Sequence, residues 1–239
     1  GWLSRTPVAF QDAILERSVW QHIEAGAALT HGGDRAGGMY GIGQGSVDVT
    51  PATGPADLPV THIGRAPYWF GILPVVSHAP RAVSIATRSQ CLAAVVPQPA
   101  LDALLVARPE WWQLLAMQAL EHFSLAAQIA SDLLIPDSRR RCIAVLLRET
   151  GHRVGDVPCP QIDIGQDELA AMANMSRQTA SAVLRDLAAQ GLIELGYRQG
   201  GPAGYGLRRK LIDQTGNPKA DLDRGEHKSL QTDRVILVP

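Results

Sequence analysis

The stretch Gly165–Leu195, GQDELAAMANMSRQTASAVLRDLAAQGLIEL, decides how this chain is interpreted. It predicts two short helices joined by a tight turn and followed by an apolar strand. Glu168, three residues after the first glycine, indicates a capping box, and Asn174 tolerates the left-handed conformation of a turn. Ser176 is a good N-cap for a second helix ending near Gly191. This layout places a helix in the major groove of DNA, and the alternative is an ordinary helical hairpin of a globular core.

Several side chains at the exposed start of the second helix are able to form hydrogen bonds. Arg177 and Gln178 suit the edges of guanine and adenine. The range 177–210 holds six basic residues against two acidic ones, as phosphate contact requires, although a solvated charged face gives the same pattern. The residues expected to contact DNA are Ser176, Arg177, Gln178, Thr179, Ser181 and Arg185.

These motifs resemble the winged helix-turn-helix of the CRP/FNR family of bacterial transcription regulators. The resemblance extends over about residues 15–197, with the docking geometry known for this class of motif. It implies a homodimer on palindromic double-stranded DNA, with RNA polymerase as a protein partner. The residues that carry it are Glu168-Leu169-Ala170, Ser176-Arg177-Gln178-Thr179, Val183-Leu184, Leu187 and Gly191-Leu192-Ile193.

The composition is that of a globular protein. Among 239 residues, 46% are hydrophobic and 19% are charged. No apolar run approaches the roughly 20 residues needed to cross a membrane, and the first residues carry no basic, apolar signal. We therefore expect a cytoplasmic protein without a membrane partner.

Cysteine and histidine usage argues against a cofactor. Cys91, Cys142 and Cys159 are too few and too dispersed for a disulfide scaffold or a metal site. The oxygen sensors of the family carry an N-terminal cysteine cluster for an iron–sulfur centre, and this chain has no cysteine before Cys91. His78 is a lone loop histidine, and no other histidine of the front half has ligand spacing. We expect no metal, no cofactor and, without a nucleophile elbow or phosphate-cradling loop, no enzyme activity.

The front half predicts a small antiparallel barrel. Residues 16–98 contain short apolar runs at roughly ten-residue spacing, rich in Gly, Pro, Val and Thr. Met39–Val49 looks like a hairpin around a glycine-containing turn. The predicted fold class is therefore α+β: an antiparallel β jelly-roll barrel over residues 1–108, a long dimerisation helix and a C-terminal winged helix-turn-helix.

Part of the barrel is similar to the cyclic-nucleotide pocket of the family. Phe70-Gly71 and Arg81-Ala82 match the pattern, and the resemblance implies that the arginine binds the cyclic phosphate. Arg81 has a second interpretation, in which it pairs with a carboxylate such as Asp48 or Asp57. Both interpretations stay open at this point.

Two departures weaken that pocket. Ile72 occupies the position of the glutamate that accepts a hydrogen bond from the ribose, and the loss is worth about 1–3 kcal/mol. Pro74 disfavours a short helix beyond its first turn. We therefore expect a pocket that is not tuned to cyclic AMP.

Residues 109–136 predict the long helix, through which the family dimerises over about 109–135. The alternative is that the helix packs against its own barrel. Pro136 ends the helix, residues 132–138 form a hinge, and Asp137 or Ser138 caps the next helix. The apolar positions are Trp112, Leu115, Ala116, Ala119, Phe123, Ala126, Ala130 and Leu133.

The C-terminal part divides into a winged helix-turn-helix over 137–212 and a tail or wing extension over 213–239. The sequence predicts that Gly200–Gly204 forms the turn of the wing. Arg234–Val238 predicts a strand, either the second wing strand or part of a tail.

The main interpretation is a homodimeric transcription regulator whose sensory pocket is not tuned to cyclic AMP. The alternatives are a regulator with a working cyclic-nucleotide site, and a barrel-containing interaction protein without DNA binding. The sequence does not name the effector, the target genes, the sign of regulation or the role of residues 198–239.

Overall fold

The computed structural model describes residues 1–52, 58–151, 161–196 and 204–207. The chain forms two compact units, Gly1–Ala127 and Gln128–Pro239, and the boundary falls inside a 22-residue helix. Among the described residues, no helix combines the length and the apolar character needed to cross a membrane.

The first unit contains two four-stranded antiparallel sheets, with helices before and after their strands. The strands align as β1-β8-β3-β6 in one sheet and β2-β7-β4-β5 in the other. This confirms the antiparallel jelly-roll architecture expected from the short apolar runs. The elements are α1 (Val8–Glu16), β1 (Val19–Ile23), β2 (Ala28–Thr30), β3 (Gly38–Gln44), β4 (Ser46–Pro51), β5 (His62–Arg65), β6 (Tyr68–Phe70), α2 (Ile72–Ser77), β7 (Val83–Thr87), β8 (Cys91–Pro97), α3 (Gln98–Ala107) and α4 (Trp112–Leu133).

The hairpin predicted over Met39–Val49 is wrong. Strands form on both sides of Gly45, but β3 pairs with β8 and β6, whereas β4 pairs with β7 and β5. Gly45 has φ +91°, and a Cβ there would lie 2.4 Å from the Gln90 carbonyl oxygen. The alternating pattern is correct, but the glycine carries the chain from one sheet to the other, which strand alternation does not reveal.

Two hydrophobic cores follow from this crossing. The inner core lies between the sheets, and the outer core joins one sheet to the helices. The inner core consists of Ile42, Val47, Val49, Phe70, Ile85, Cys91 and Ala93. The outer core includes Trp2, Phe10, Ile14, Met39, Trp69, Ile72, Val75, Ala94, Val96, Leu101, Leu105 and Leu115.

The short helix α2 forms despite Pro74, so the expectation that the proline would restrict it to one turn is wrong. Gly71 precedes the helix, and Pro74 is its third residue. The first N–H groups of any helix lack an intrahelical partner, so proline loses no hydrogen bond at that position. Ile72 and Val75 then bury the helix against the outer core.

Helix α4 has two apolar faces, whereas the spacing of apolar residues in the sequence predicted a single one. Leu115 is buried in the outer core, Ala119 packs against that core, and His122 Nε2 lies 3.0 Å from the Trp69 carbonyl oxygen. A second line of exposed apolar residues follows a spacing of four and three that is typical of a coiled-coil seam. This exposed seam consists of Ala116, Leu120, Phe123, Ala127, Ala130 and, just beyond the helix, Leu134.

In the part of the second unit that the structure describes, three helices accompany a small antiparallel sheet. Asp137 caps its first helix by accepting a hydrogen bond from the Arg140 N–H at 2.7 Å, as expected. Buried residues fill that helix from Cys142 to its end. The elements are α5 (Ser138–Glu149), β9 (Gln161–Ile162), α6 (Gln166–Met172), α7 (Arg177–Ala189), β10 (Ile193–Gly196) and β11 (Gly204–Leu207).

The wing strands are β10 and β11, and β9 pairs with β11 on its other side. The second wing strand therefore comes within eight residues of the first. Arg234–Val238 lies outside the described residues, as do residues 197–203 and 208–239.

Candidate nucleic-acid interface and ligand pocket

The turn after α6 has the geometry that the sequence predicts. Met175 N–H donates to the Ala170 carbonyl at 2.9 Å, and Asn174 N–H donates to the Ala171 carbonyl at 3.1 Å. Asn174 has φ +46°. These two bonds and the left-handed residue form a Schellman motif, which ends α6 and turns the chain sharply into α7.

Both ends of α7 are capped. Ser176 Oγ accepts a hydrogen bond from Thr179 N–H at 3.1 Å, and its hydroxyl lies 2.9 Å from the Thr179 hydroxyl. At the other end, Gly191 has φ +66°, and Leu192 N–H donates to the Leu187 carbonyl at 2.9 Å. Caps at both ends fix the bounds of α7 and hence which side chains its first turns present.

One face of α7 is buried and the opposite face is open. Ala180, Leu184 and Leu187 are fully buried and form an apolar stripe along the helix. Arg185 is exposed, and its Nε donates to the Ser181 carbonyl at 3.3 Å. Of the six predicted contact residues, four are exposed and two are half-buried: Ser176, Arg177, Gln178 and Arg185, then Thr179 and Ser181. Their contact with DNA stays a prediction.

Arg177 forms an ion pair that the sequence analysis missed. Its Nε lies 3.2 Å from Asp167 Oδ1 in the first turn of α6, and both side chains are about 70% exposed (70% and 73%). A carboxylate ten residues away, across a turn, gives no helical spacing signal. Only the fold places the two groups together.

Sequence reasoning also missed Arg141, although this arginine contacts both the turn between α6 and α7 and the predicted hinge. Its guanidinium donates to the carbonyls of Ala173 and Asn174 (3.1 Å for Asn174) at the turn, and to the Ile135 carbonyl at 2.6 Å in the predicted hinge. The sequence shows it as one of three consecutive arginines. Helical rotation gives the neighbouring Arg139 a different partner, because its Nε donates to Asp186 Oδ2 at 3.1 Å.

A buried ion pair ties the end of α4 to α5. Arg148 contacts Asp132, and its Nε lies 3.4 Å from Glu149 Oε1, with all three side chains at most 1% exposed. Removing one partner of such a pair leaves an uncompensated buried charge, which typically costs about 3–5 kcal/mol. The pair holds the last turn of α4 within the second unit.

In the first unit, the residues that match a cyclic-nucleotide pocket lie together. Gly71 has φ +96°, and a Cβ there would lie 3.4 Å from Arg81 Nη1. The Arg81 guanidinium lies 5.7 Å from the centroid of the Tyr40 ring, which stacks on Phe70 at 5.0 Å. Ala82 is exposed and holds the loop through its backbone, accepting a hydrogen bond from Ala52 N–H at 2.9 Å.

Arg81 itself is buried, with 7% exposure. Its Nη2 donates to the Gly38 carbonyl at 3.3 Å, and among the described residues no carboxylate lies within ion-pair distance of it. Desolvation lowers the pKa of the guanidinium, while the charges of Tyr40 and Asp34 act in the opposite direction. The expectation that Arg81 pairs with Asp48 is wrong, because Asp48 pairs with Arg88 at 2.8 Å. Asp57 lies outside the described residues.

Ile72 does not face this arginine. It is 0% exposed within the outer core, among residues such as Met39 and Trp69. The position that carries the ribose-binding carboxylate in the resembling family therefore contributes to packing here. This explains how the chain tolerates isoleucine at that position.

Comparisons with known proteins agree with both halves of this description. Residues 20–108 match the family model of the cyclic nucleotide-binding domain, and residues 140–200 match that of the Crp-like helix-turn-helix domain. The chain belongs to the CRP/FNR family of transcriptional regulators. This member combines a cyclic nucleotide-binding domain with a helix-turn-helix.

Several solved structures have a similar fold. FixK2 from Bradyrhizobium japonicum has a TM-score of 0.67 at 14% identity, covering 82% of this chain and 96% of that one. The c-di-GMP responsive global regulator CLP of Xanthomonas campestris has a TM-score of 0.63 at 22% identity, covering 84% and 99%. A CooA mutant from Carboxydothermus hydrogenoformans has a TM-score of 0.62 at 18% identity, covering 84% and 89%.

A curated relative matches part of the chain. Over 74 residues the chain is 35% identical to the cAMP-dependent protein kinase type II regulatory subunit of Drosophila melanogaster. The match spans 31% of this chain and 18% of that relative.

Proposed function

We propose that this CRP/FNR regulator binds a palindromic DNA operator as a homodimer, through the exposed start of α7. The observation that carries the proposal is the doubly capped α7 with its buried stripe, because it presents Arg177, Gln178 and Arg185 on the open face. A helix with this exposure fits the major groove, where arginine and glutamine recognise guanine and adenine. Phosphate contacts by the neighbouring basic residues supply affinity that falls with salt.

A second copy of this chain is the proposed occupant of the exposed seam on α4. Leu120 is 62% exposed and Phe123 is 70% exposed, and the other helical positions of the seam are alanines. Small residues allow two helices to approach closely, and the spacing of four and three is that of a two-stranded coiled coil. A 22-residue helix is about 33 Å long, which gives three heptads of contact.

The dimer is tested by sedimentation of the full chain and of the variant Phe123→Lys. We expect the wild type to sediment as a dimer and the variant as a monomer. Val106→Lys, at an exposed site on α3, is the matched control and leaves the dimer intact. A wild-type monomer at micromolar concentration would contradict the proposal.

DNA binding is tested by selecting bound fragments from a random pool and measuring their affinity by fluorescence anisotropy. We expect palindromic sites with half-site centres about 34–36 Å apart or a multiple of that, and affinity that falls steeply with salt. Binding of a monomer to one asymmetric site would contradict the proposed mode. No binding at all would favour a barrel-containing interaction protein.

We also propose that the pocket of the first unit is not tuned to cyclic AMP. Arg81 supplies a buried cation without a carboxylate partner among the described residues, so the site is suited to an anion. The side chain at the ribose-binding position, Ile72, lies in the outer core and offers no hydrogen-bond acceptor. The uncompensated arginine and the match to the cyclic nucleotide-binding domain favour, as a second candidate, a regulator that does respond to a cyclic nucleotide.

Calorimetry decides between these candidates. Cyclic AMP, cyclic GMP and cyclic di-GMP are titrated into the full-length protein and into Arg81→Ala. The third nucleotide is included because the Xanthomonas campestris regulator is named as responsive to it. We expect no binding at micromolar cyclic AMP or cyclic GMP. Micromolar binding that Arg81→Ala abolishes would establish the second candidate.

The remaining elements of the proposal follow from DNA regulation. We propose a cytoplasmic location, RNA polymerase as a protein partner and a role without catalysis. In vitro transcription from a promoter that carries the selected site, with and without the protein, tests the polymerase partnership. An unchanged transcript level would contradict it.

A further inference from the structure

The ion pair between Arg177 and Asp167 leaves part of the arginine available. Asp167 approaches Nε at 3.2 Å, on the side of the guanidinium nearest the aliphatic stem. Among the described residues, no other group forms a hydrogen bond or ion pair with this guanidinium. Nη1 and Nη2 therefore keep N–H groups that are free to donate. Those two nitrogens form the fork that binds O6 and N7 of guanine in a bidentate contact.

We propose that Asp167 is a specificity-determining residue, which orients the Arg177 guanidinium for guanine in the DNA complex. The inference rests on the proposed DNA binding. An unsupported arginine on an exposed helix loses side-chain entropy when a base fixes it, and it reaches a phosphate as readily as a guanine. A carboxylate at Nε restricts the fork to one direction before DNA arrives. The pair is 70% exposed, so a base edge is able to reach it.

The same carboxylate opposes contacts that carry no sequence information. Asp167 Oδ1 lies 3.2 Å from Arg177 Nε, so in the proposed complex the arginine brings a negative charge close to the DNA backbone. Phosphate contact supplies almost all of non-specific affinity. Asp167 therefore strengthens binding to the correct base and weakens binding elsewhere. Specificity is the difference between these two affinities.

The test is the variant Asp167→Asn, which removes the charge and keeps the size. Affinity is measured for three DNAs. They are the selected operator, the same operator with a substitution at the base pair whose recognition depends on Arg177, and unrelated DNA. We expect discrimination at that base pair to fall about twofold to fivefold, the range of an exposed ion pair. Affinity for unrelated DNA should rise about twofold at low salt.

Two controls separate this role from simpler ones. Asp167 is also an acidic residue in the first turn of α6, where it stabilises the helix through its dipole. The double variant Asp167→Asn with Arg177→Ala isolates the orienting role, because discrimination at that base pair should not change further. Asp12→Asn removes the same charge from an exposed site of the first unit and should leave discrimination unchanged.

The outcomes are distinguishable from a failure of DNA binding. If the wild type selects no operator, the proposed function fails. If it selects one and Arg177→Ala relaxes one base pair, two results would overturn the inference alone. The first is unchanged discrimination by Asp167→Asn. The second is that Asp167→Asn lowers discrimination at that base pair equally in the wild type and in the Arg177→Ala variant.

Discussion

The two units of this chain differ in how faithfully they keep residues that match known functional motifs. In the second unit, Asn174, Ser176 and Gly191 have the conformations that their residue types favour. In the first unit, Arg81 is buried without a carboxylate partner among the described residues, whereas Ile72 packs in the outer core. The comparison indicates that the DNA-binding geometry depends on local backbone rules. The residues that match a cyclic-nucleotide pocket come from a strand, the N-cap of the helix that follows it and a separate loop, and each can be replaced one at a time.

The largest effect is expected at position 72, when the glutamate that the family carries there replaces the isoleucine. Ile72→Glu places an acid at a site with 0% exposure. An uncompensated buried charge costs about 3–5 kcal/mol, so the free energy of unfolding should fall by that amount without any gain of cyclic-AMP binding. Denaturant unfolding and calorimetry measure the two quantities. The neighbouring Leu73→Glu, at an exposed position, should be nearly neutral, and a stable Ile72→Glu protein that binds cyclic AMP would reverse the comparison.

The next effect concerns the base contact itself. Arg177→Ala should weaken binding to the selected operator by about 1–3 kcal/mol and relax preference at one base pair. Anisotropy on single-base variants of the operator measures this. Arg140→Ala, at an exposed position on α5, serves as the control. An equal loss on every sequence would reassign Arg177 to a phosphate contact.

A smaller effect is expected at the turn. Asn174 has φ +46°, a conformation that costs most side chains about 1–2 kcal/mol. Asn174→Ala should lower the free energy of unfolding by about that amount, whereas Asn174→Gly should be neutral or slightly stabilising. Thermal unfolding of the three proteins checks the order. Equal stability of the alanine and glycine variants would show that the turn does not depend on backbone freedom.

The smallest effect concerns pH and the first unit. Burial lowers the pKa of His122 below its ordinary value of 6.5; the hydrogen bond to the Trp69 carbonyl opposes this, and His62 adds to it. The folded state therefore favours the neutral ring. Its contribution is complete above about pH 6.5 and is lost as the pH falls toward the folded-state pKa.

Unfolding of the wild type and of His122→Gln between pH 8 and pH 5 measures this contribution. The wild type should lose more stability toward acid than the variant. Parallel pH profiles of the two proteins would exclude a role for His122.

Signals within a few residues of one another were predictable. The Ser176 cap, the stop at Gly191 and the cap at Asp137 each require only a short sequence window, and all three are confirmed. The alternation around Gly45 predicted strands correctly but not their partners, because pairing is decided by the opposite sheet. Local rules fix elements, and long-range packing fixes topology.

The site residues that sequence reasoning missed all act through contacts distant in the chain. Asp167 meets Arg177 across a turn, and Asp132 meets Arg148 between two helices. The two apolar faces of α4 were predicted as one for a similar reason. Spacing identifies apolar positions, but only the barrel decides that Leu115 is covered while Phe123 stays exposed.

Arg141 has an electrostatic consequence beyond its hydrogen bonds. The C-terminal end of a helix carries roughly half a negative charge. The carbonyls of Ile135 and Pro136 follow α4, and those of Ala173 and Asn174 end α6, so one guanidinium faces two such ends. A single positive charge therefore lies close to the negative ends of two helices at once.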